Sequence, residues 1–467
     1  MEIEATQYEK VNTAEYGDAY QAMPFLATAE AGDAEAERAG LLAELAGRVT
    51  VACRGSKIHS GPLSPGCRRC VEGNWSCLFI NNICNGRCFY CPTSQLSKSS
   101  PATNNLSFPN PQDYLDYLAA FGFSGASISG GEPLLTFDRS LDYVTRIKKR
   151  FGSAIHLWLY SNGILADAEK IARLQAAGLD EMRFDISADG YSLEKVKLAA
   201  GRIPTLTVEI PAIPEDYRLL RELLPELAAA GVQHLNLHQM RATPHNLPKL
   251  LDRGYTFVHA PKALVQGSEL TALHLIRDAL EMPAAPAINY CSYAYKSRYQ
   301  GRAARQRAAL RLVRPHEDIT PAGYLRSLRL VAPVGEIDRL LAVLEDAGGE
   351  KRWQRDGPER LLLNAGSLAR LAWEQPVLQV SYLTPQLRGS VSYRGSHQEI
   401  ALTRKRKIYA ERYQALGPVE IPAGERQAFL GLLETGEAGE TVGPAGFLAG
   451  IFGYEWLTDG LFPLALP

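Results

Sequence analysis

The 467-residue chain has no run of about eighteen consecutive apolar residues, so no segment reads as a membrane-spanning helix. It also lacks net charge. Its 50 Lys and Arg nearly cancel 51 Asp and Glu, so no global field points to nucleic acid or an anionic membrane surface. Met1 to Lys10 is acidic and polar rather than basic and then apolar. It therefore does not read as a signal peptide, and the expected location is cytoplasmic. Internal repeats and long low-complexity segments are missing. Cysteine is nearly confined to one region: Cys53, Cys67, Cys70, Cys77, Cys84, Cys88 and Cys91 cluster, and Cys291 stands far downstream. A disulfide framework belongs to small secreted scaffolds in oxidising compartments, which a chain of this length and expected location does not match. Clustered thiolates then indicate metal, and soft sulfur donors select zinc or an iron–sulfur cluster.

The length predicts more than one domain. Residues 1–74 read as an N-terminal extension. Within it Ala27 to Gly47 is rich in Ala, Glu and Leu and predicts a helix, broken at Gly32 and ended by Gly47. Pro62, Pro65, Gly61 and Gly66 predict a loop that delivers Cys67. From residue 75 to 300 short apolar runs alternate with amphipathic stretches. Cys77–Ile80, Ala126–Ser129, His156–Tyr160, Met182–Ser187, Leu206–Ile210 and Leu235–His238 read as strands. Helices are expected over Asp138–Phe151, over Ala166–Ala177 (ending at Gly178) and over Asp216–Ala230. Strands separated by crossover helices predict a parallel sheet of α/β class, and a partial (β/α)6 TIM-like barrel places its chemistry at the C-terminal strand ends. Residues 301–467 read as a smaller α+β domain, with strands at Ser327–Val331, Arg360–Leu363 and Leu378–Tyr382 and a helix at Gly335–Ala347. Phe447, Phe452, Tyr454 and Trp456 make an aromatic tail that calls for packing partners.

The polar motifs fall at the expected strand ends. Cys84-Asn-Gly-Arg-Cys88-Phe-Tyr-Cys91 follows the first strand. Three thiolates on one short loop hold three irons of a cubane and leave the fourth iron open to a chelating small molecule. A structural zinc site, which closes four ligands and favours CxxC pairs, is the competing reading. Ser129-Gly130-Gly131-Glu132-Pro133 ends the second strand, Tyr160-Ser161-Asn162-Gly163 the third, and Ile186-Ser187-Ala188-Asp189-Gly190 the fourth. The two glycines would let the backbone approach a ligand closely.

Together and in this order, these segments resemble the radical S-adenosylmethionine (SAM) superfamily, whose signature is CxxxCxφC with an aromatic residue at the position of Tyr90. The resemblance implies a [4Fe–4S] cluster on Cys84, Cys88 and Cys91. It implies SAM contacts from Tyr90, from the turn Gly130-Gly131-Glu132-Pro133, from Ser161 and Asn162, and from Ser187. It implies reductive cleavage of SAM to a 5′-deoxyadenosyl radical that abstracts hydrogen from a small molecule or peptide, with a flavodoxin- or ferredoxin-type electron donor as partner. Gly66-Cys67-Arg-Arg-Cys70, Leu78-Phe79-Ile80 and Cys291-Ser292-Tyr293 with Tyr295-Lys296 are further similar to an uncharacterised group described as related to the pyruvate formate-lyase activating enzyme. That likeness spans roughly residues 60 to 310 and implies no particular substrate; no B12-binding domain is evident in the sequence, so cobalamin-dependent methylation is not expected.

Several residues keep two readings. Glu209 and His238, on the fifth and sixth strands, are catalytic candidates if their alternation turns them inward, and buried hydrogen-bonded groups otherwise. Cys67, Cys70 and Cys291, with Cys53 or Cys77 as a fourth, are candidates for an auxiliary cluster or zinc. Cys53 and Cys77 also fit as buried thiols that pack as small hydrophobes. Arg298, Arg302, Arg305, Arg307, Arg311 and Arg314 form either a solvated helix or an anion site. Rival functions are a glycyl-radical activase, 3-amino-3-carboxypropyl transfer from SAM, and a non-catalytic zinc scaffold.

Overall fold

The computed structural model describes residues 2–97, 99–391, 397–435 and 446–464. It divides into two compact units, Met1–Gln300 with Asp459–Pro467, and Gly301–Thr458. Residues 1–74 share the unit that carries the strand–helix alternation.

Among the described residues of that unit, parallel strands form in chain order: β1 (Trp75–Phe79), β2 (Gly125–Ser129), β3 (His156–Ser161), β4 (Glu181–Phe184), β5 (Thr205–Pro211), β6 (His234–His238) and β7 (Ala287–Cys291). Each pairs in parallel with the next, so sequence neighbours are sheet neighbours from β1 to β7. This is a partial TIM-like barrel, produced because each crossover helix returns the chain to the adjacent strand. The expected strands are present, and β7 adds one that the apolar-run pattern does not predict: five residues boxed in after Pro283 and Pro286. Both edges are covered by hairpins. Lys57–His59 pairs antiparallel with β7 and with Thr50–Ala52, while Ala102–Thr103 pairs with β1 and with Leu106–Ser107. The sheet thus ends on strands of two or three residues, too short to template pairing with another chain.

Three local expectations are corrected. The N-terminal helix Thr28–Leu45 runs straight through Gly32. A mid-helix glycine costs about 1 kcal/mol, less than the helix gains by burying Ala31, Ala34, Leu41 and Leu45. The segment carrying Cys67 is a helix, Pro65–Val71, in which Pro65 stands in the first turn and the Ser64 hydroxyl caps the Cys67 N–H. Strand β4 ends at Phe184, and Ile186–Asp189 is a 3-10 turn. There the Ser187 hydroxyl bonds the Asp185 carboxylate at 2.6 Å and takes the chain out of the ladder.

Alternation along the strands decides what faces the barrel interior. Arg183 of β4, Glu209 of β5, Asn236 of β6 and Asn289 of β7 are joined side chain to side chain. Their strand neighbours Met182, Val208, Ile210, Leu235, Leu237 and Ile288 point the other way and are buried. The barrel interior is therefore polar and its outer face apolar.

The second unit is an antiparallel sheet. Its strand order is Trp353–Arg355, Arg360–Leu363, Leu325–Val331, Val377–Arg388, Lys407–Glu420 and His397–Ala401, with Glu317–Ile319 also paired to Leu325–Val331. Helix Val334–Asp346 buries Ile337, Leu340 and Leu344 against Leu328, Leu330, Leu361, Leu363 and Leu378. Tyr454 stacks on Tyr382 at 5.0 Å and meets Tyr324 edge-on at 5.1 Å, and Phe447 packs against the same core, so two of the four tail rings find partners there. Among the described residues no helix is long and apolar enough to cross a membrane.

Candidate active site

The cysteine loop leaves β1 and is pinned on both sides. On its way in, the Glu132 N–H donates to the Ile83 carbonyl at 2.7 Å and the Gly131 N–H to the Asn81 carbonyl at 3.2 Å. On its way out, the Thr243 hydroxyl donates to the Pro92 carbonyl at 2.9 Å and the Asn246 amide to the Tyr90 carbonyl at 3.0 Å. The glycine pair serves this contact. A Cβ at Gly131 would sit 1.9 Å from the Ile83 oxygen, and one at Gly130, whose φ is +130°, would sit 2.5 Å from the Asn81 oxygen. What these glycines admit is the chain leading to the cysteines, where the motif by itself suggests a ligand.

Glu132 ties the ends of β2 and β3 together. Its carboxylate accepts the Ser161 hydroxyl at 2.9 Å, the Asn162 N–H at 2.7 Å and the Leu134 N–H at 2.8 Å. Burial pushes the carboxyl up to about 7 against the pull of those donors. Pro133 opens the 3-10 turn that follows, and its carbonyl accepts the Ser140 hydroxyl at 2.8 Å. The Asn162 amide reaches the Asn85 side chain at 2.9 Å and the Cys84 sulfur at 3.6 Å. Across the loop the Tyr90 hydroxyl donates to the Asp185 carboxylate at 2.9 Å and lies 2.6 Å from the Ser187 hydroxyl.

Cys84, Cys88 and Cys91 line one cavity of about 1100 Å³ together with Tyr90, Gly130, Glu132, Ser161 and Asn162. A Cβ at Gly86 would stand 3.4 Å from the Cys84 sulfur and 3.5 Å from the Cys88 sulfur, so a glycine there leaves both sulfurs clear on the same side. Among the described residues no three His, Cys, Asp or Glu side chains are drawn together as a single-ion site. Three soft donors on one short loop beside the cavity are the donor set of an iron–sulfur group, and this loop could hold one.

Glu209 and His238 both face the same cavity. The Glu209 carboxylate bonds His238 Nε2 at 2.7 Å, Arg183 at 2.6 Å and the Asn236 amide at 2.9 Å. Burial alone would raise its pKa, but Arg183 and His238 outweigh burial and hold it well below the usual carboxylate range. Lys296 Nζ stands 2.8 Å from His238 Nδ1. An ammonium only donates, so His238 keeps its proton on Nε2 and offers it to Glu209. Burial and the Lys296 charge both lower the His238 pKa, which favours that neutral ring. Deeper in the barrel Arg183 also bonds Glu181 at 2.8 Å, and Glu181 accepts the Gly66 N–H at 3.0 Å and His156 Nε2 at 2.9 Å.

The remaining cysteines separate into two places. Cys67 and Cys70 on their helix, and Cys291 at the end of β7, line the far side of the cavity. Cys53, in the turn of the edge hairpin, bears electrostatically on Lys57 together with these three. Cys77 lines the same cavity, from β1. It stands beside Ser127 and Ser129, and burial raises its thiol pKa to about 11. In the basic stretch, Arg298 donates to the Gly460 carbonyl at 2.6 Å and Arg305 to the Ala322 carbonyl at 2.8 Å, so both are spent on backbone.

Sequence reasoning missed Arg183, Asp185 and Lys57. The first two carried a signal: Glu181, Arg183 and Asp185 alternate through an apolar strand, the pattern of one charged face. Lys57 carried none, being a single lysine in a short hairpin.

A model of the radical SAM superfamily matches residues 78–206. A candidate glycyl-radical enzyme activating enzyme of Methanocaldococcus jannaschii is 29% identical over 298 residues, covering 61% of this chain and 78% of that protein. A GTP 3′,8-cyclase of Lactiplantibacillus plantarum is 35% identical over 121 residues, covering 26% of this chain and 35% of that one. Among solved structures, Streptococcus suis SuiB bound to S-adenosylmethionine aligns with a TM-score of 0.36 at 11% identity, over 47% of this chain and 50% of that chain.

Proposed function

Taking as premise that this chain carries a radical SAM domain and is a radical SAM enzyme with a [4Fe–4S] cluster and SAM as cofactors, we propose that Cys84, Cys88 and Cys91 hold the cluster and that the strand ends beside them hold SAM. The observation that carries this reading is the loop itself: three thiols at a cavity mouth, pinned by the Gly130-Gly131-Glu132 turn and facing Asn162. The cluster, when bound, supplies the electron that splits SAM to methionine and a 5′-deoxyadenosyl radical. A flavodoxin- or ferredoxin-type protein would deliver that electron.

The chain's own residues position and enclose. Glu132 holds Ser161 and Asn162 in register with the loop, so loop and strand end move as one piece. Tyr90 closes one side of the cavity through Asp185 and Ser187. Glu209, His238 and Lys296 stand on the inner wall as a chain of hydrogen bonds that can hold or pass a proton beside a bound substrate. The substrate would be a small molecule or peptide that donates a hydrogen atom within this cavity.

A second reading, activation of a glycyl-radical protein, is favoured by the relative from M. jannaschii, of whose length this chain covers 78%. Anaerobic incubation with SAM and dithionite tests the main reading. Methionine and 5′-deoxyadenosine in equal amounts are expected, and neither from the Cys84→Ala/Cys88→Ala/Cys91→Ala variant. Methylthioadenosine in their place would instead identify transfer of the 3-amino-3-carboxypropyl group.

A further inference from the structure

We propose that Cys53, Cys67, Cys70 and Cys291 ligate a second [4Fe–4S] cluster and that Lys57 is its buried counter-cation. The observation that points there is Lys57. Its residue is 2% exposed, it lines the cavity wall, and among the described residues its amine forms no ion pair with a carboxylate. Its contact is the face of the Tyr295 ring, 4.2 Å from the ring centre. A buried ammonium without a counter-charge is strongly unfavourable. The groups that bear most on this one are the thiols of Cys291, Cys67, Cys70 and Cys53. Neutral thiols leave the cation uncompensated. Metal-bound thiolates do not, because coordination removes their protons. Four thiolates on a [4Fe–4S] core of charge 2+ leave a net charge of about 2−, one unit of which Lys57 offsets.

The backbone delivers the four sulfurs from three directions. The edge-hairpin strand pairs Lys57 directly opposite Cys291 of β7. The turn before it, in which Cys53 has φ +52° and Arg54 φ +53°, carries the first cysteine. Cys67 and Cys70 are three apart on helix Pro65–Val71, on one face. The sulfurs are also met by donors. Gln300 Nε2 lies 3.2 Å and the Tyr295 hydroxyl 3.2 Å from the Cys70 sulfur, while Asn236 Nδ2 lies 3.3 Å and Asn289 Nδ2 3.7 Å from that of Cys67. N–H and O–H groups aimed at sulfur are the surroundings that stabilise a thiolate cluster and tune it.

Zinc fits less well. A single zinc would need no counter-cation beyond its own 2+ charge, so it leaves Lys57 without a role once two thiolates balance the ion. Four protein ligands leave no iron open, so this centre would carry electrons or stabilise the fold and would not bind SAM. The proposal does not depend on the cluster of the Cys84 loop.

Anaerobic iron and sulfide analysis with electron paramagnetic resonance tests it. The reconstituted wild type should hold about eight irons and the Cys84→Ala/Cys88→Ala/Cys91→Ala variant about four. The cluster left in that variant should give a spectrum insensitive to SAM. Lys57→Met should keep the iron and move the potential of the SAM-insensitive cluster to more negative values, and Lys57→Arg should restore it. A folded triple variant without iron, or with zinc in these cysteines, overturns the proposal whatever the Cys84 loop does. A Lys57→Met protein whose potential is unmoved overturns the role given to Lys57.

Discussion

The two groups of cysteines are built in opposite ways. Cys84, Cys88 and Cys91 come from one loop after one strand, are half-buried, and line the cavity with the glycine turn, Ser161 and Asn162. Cys53, Cys67, Cys70 and Cys291 come from a hairpin, a helix and the last barrel strand, and Cys67 and Cys291 are only 5% and 8% exposed. Ligands from a single short loop approach a metal group from one side and leave the other side open to a small molecule. Ligands from three elements surround it and close it. The contrast separates a site made to react from one made to be kept.

The largest way to break this contrast is at the open loop. Cys84→Ala/Cys88→Ala/Cys91→Ala should abolish SAM cleavage, measured as 5′-deoxyadenosine, while leaving the melting temperature nearly unchanged, because the loop contributes little to the core. An equal loss of stability would show that the open loop is structural as well.

The closed side rests on the Glu181–Arg183–Glu209 chain beneath it. Glu181→Gln removes one partner of a fully buried pair and frees the Gly66 N–H next to Cys67, so it should destabilise the protein by about 3–5 kcal/mol in urea unfolding. The same group sets an acid limit. Burial would raise the Glu181 carboxyl, but Arg183 and His156 overcome this and hold it down to about 2, from 4.5. A depressed acid contributes stability above pH 4.5 and loses it as pH falls toward 2. Unfolding curves at stepwise lower pH should show that loss in the wild type and much less of it in Glu181→Gln.

Smaller again is the hinge between strand and loop. Gly131→Ala forces the Ile83 carbonyl aside and should cost about 1–3 kcal/mol. Iron bound per chain should fall at the Cys84 loop and stay unchanged at the buried cysteines. The mildest change is Tyr90→Phe, which deletes one hydroxyl bonded to Asp185 and Ser187. A single such bond is worth about 0.5–1.5 kcal/mol, so the apparent KM for SAM should rise about two- to tenfold with kcat little affected.

Much of this site is legible in the amino-acid sequence. The Cys84 loop, the glycine turn, the strand end at Ser161 and the turn at Ser187 each occupy a few consecutive residues, so their chemistry is written in contiguous sequence. The paired glycines signal crowding correctly but not its cause, because what crowds them is the Ile83 carbonyl from another segment. Gly32 misleads for a related reason: local propensity argues for a break, and burial of the helix face overrides it. Glu209 and His238 keep two readings until the register of β5 and β6 turns both inward.

The sequence by itself determined the class of chemistry, the alternation of strand and helix and the three-cysteine loop, because these depend on periodicity and on spacing within a few residues. Only the tertiary structure decided that Cys67, Cys70 and Cys291 line one cavity, that Lys57 lies buried beside them, and that Arg183 joins Glu181 to Glu209. Those groupings bring together residues as far apart as Cys67 and Cys291. Sheet register and a helix packed beneath the barrel set their distances, and no local pattern records either one.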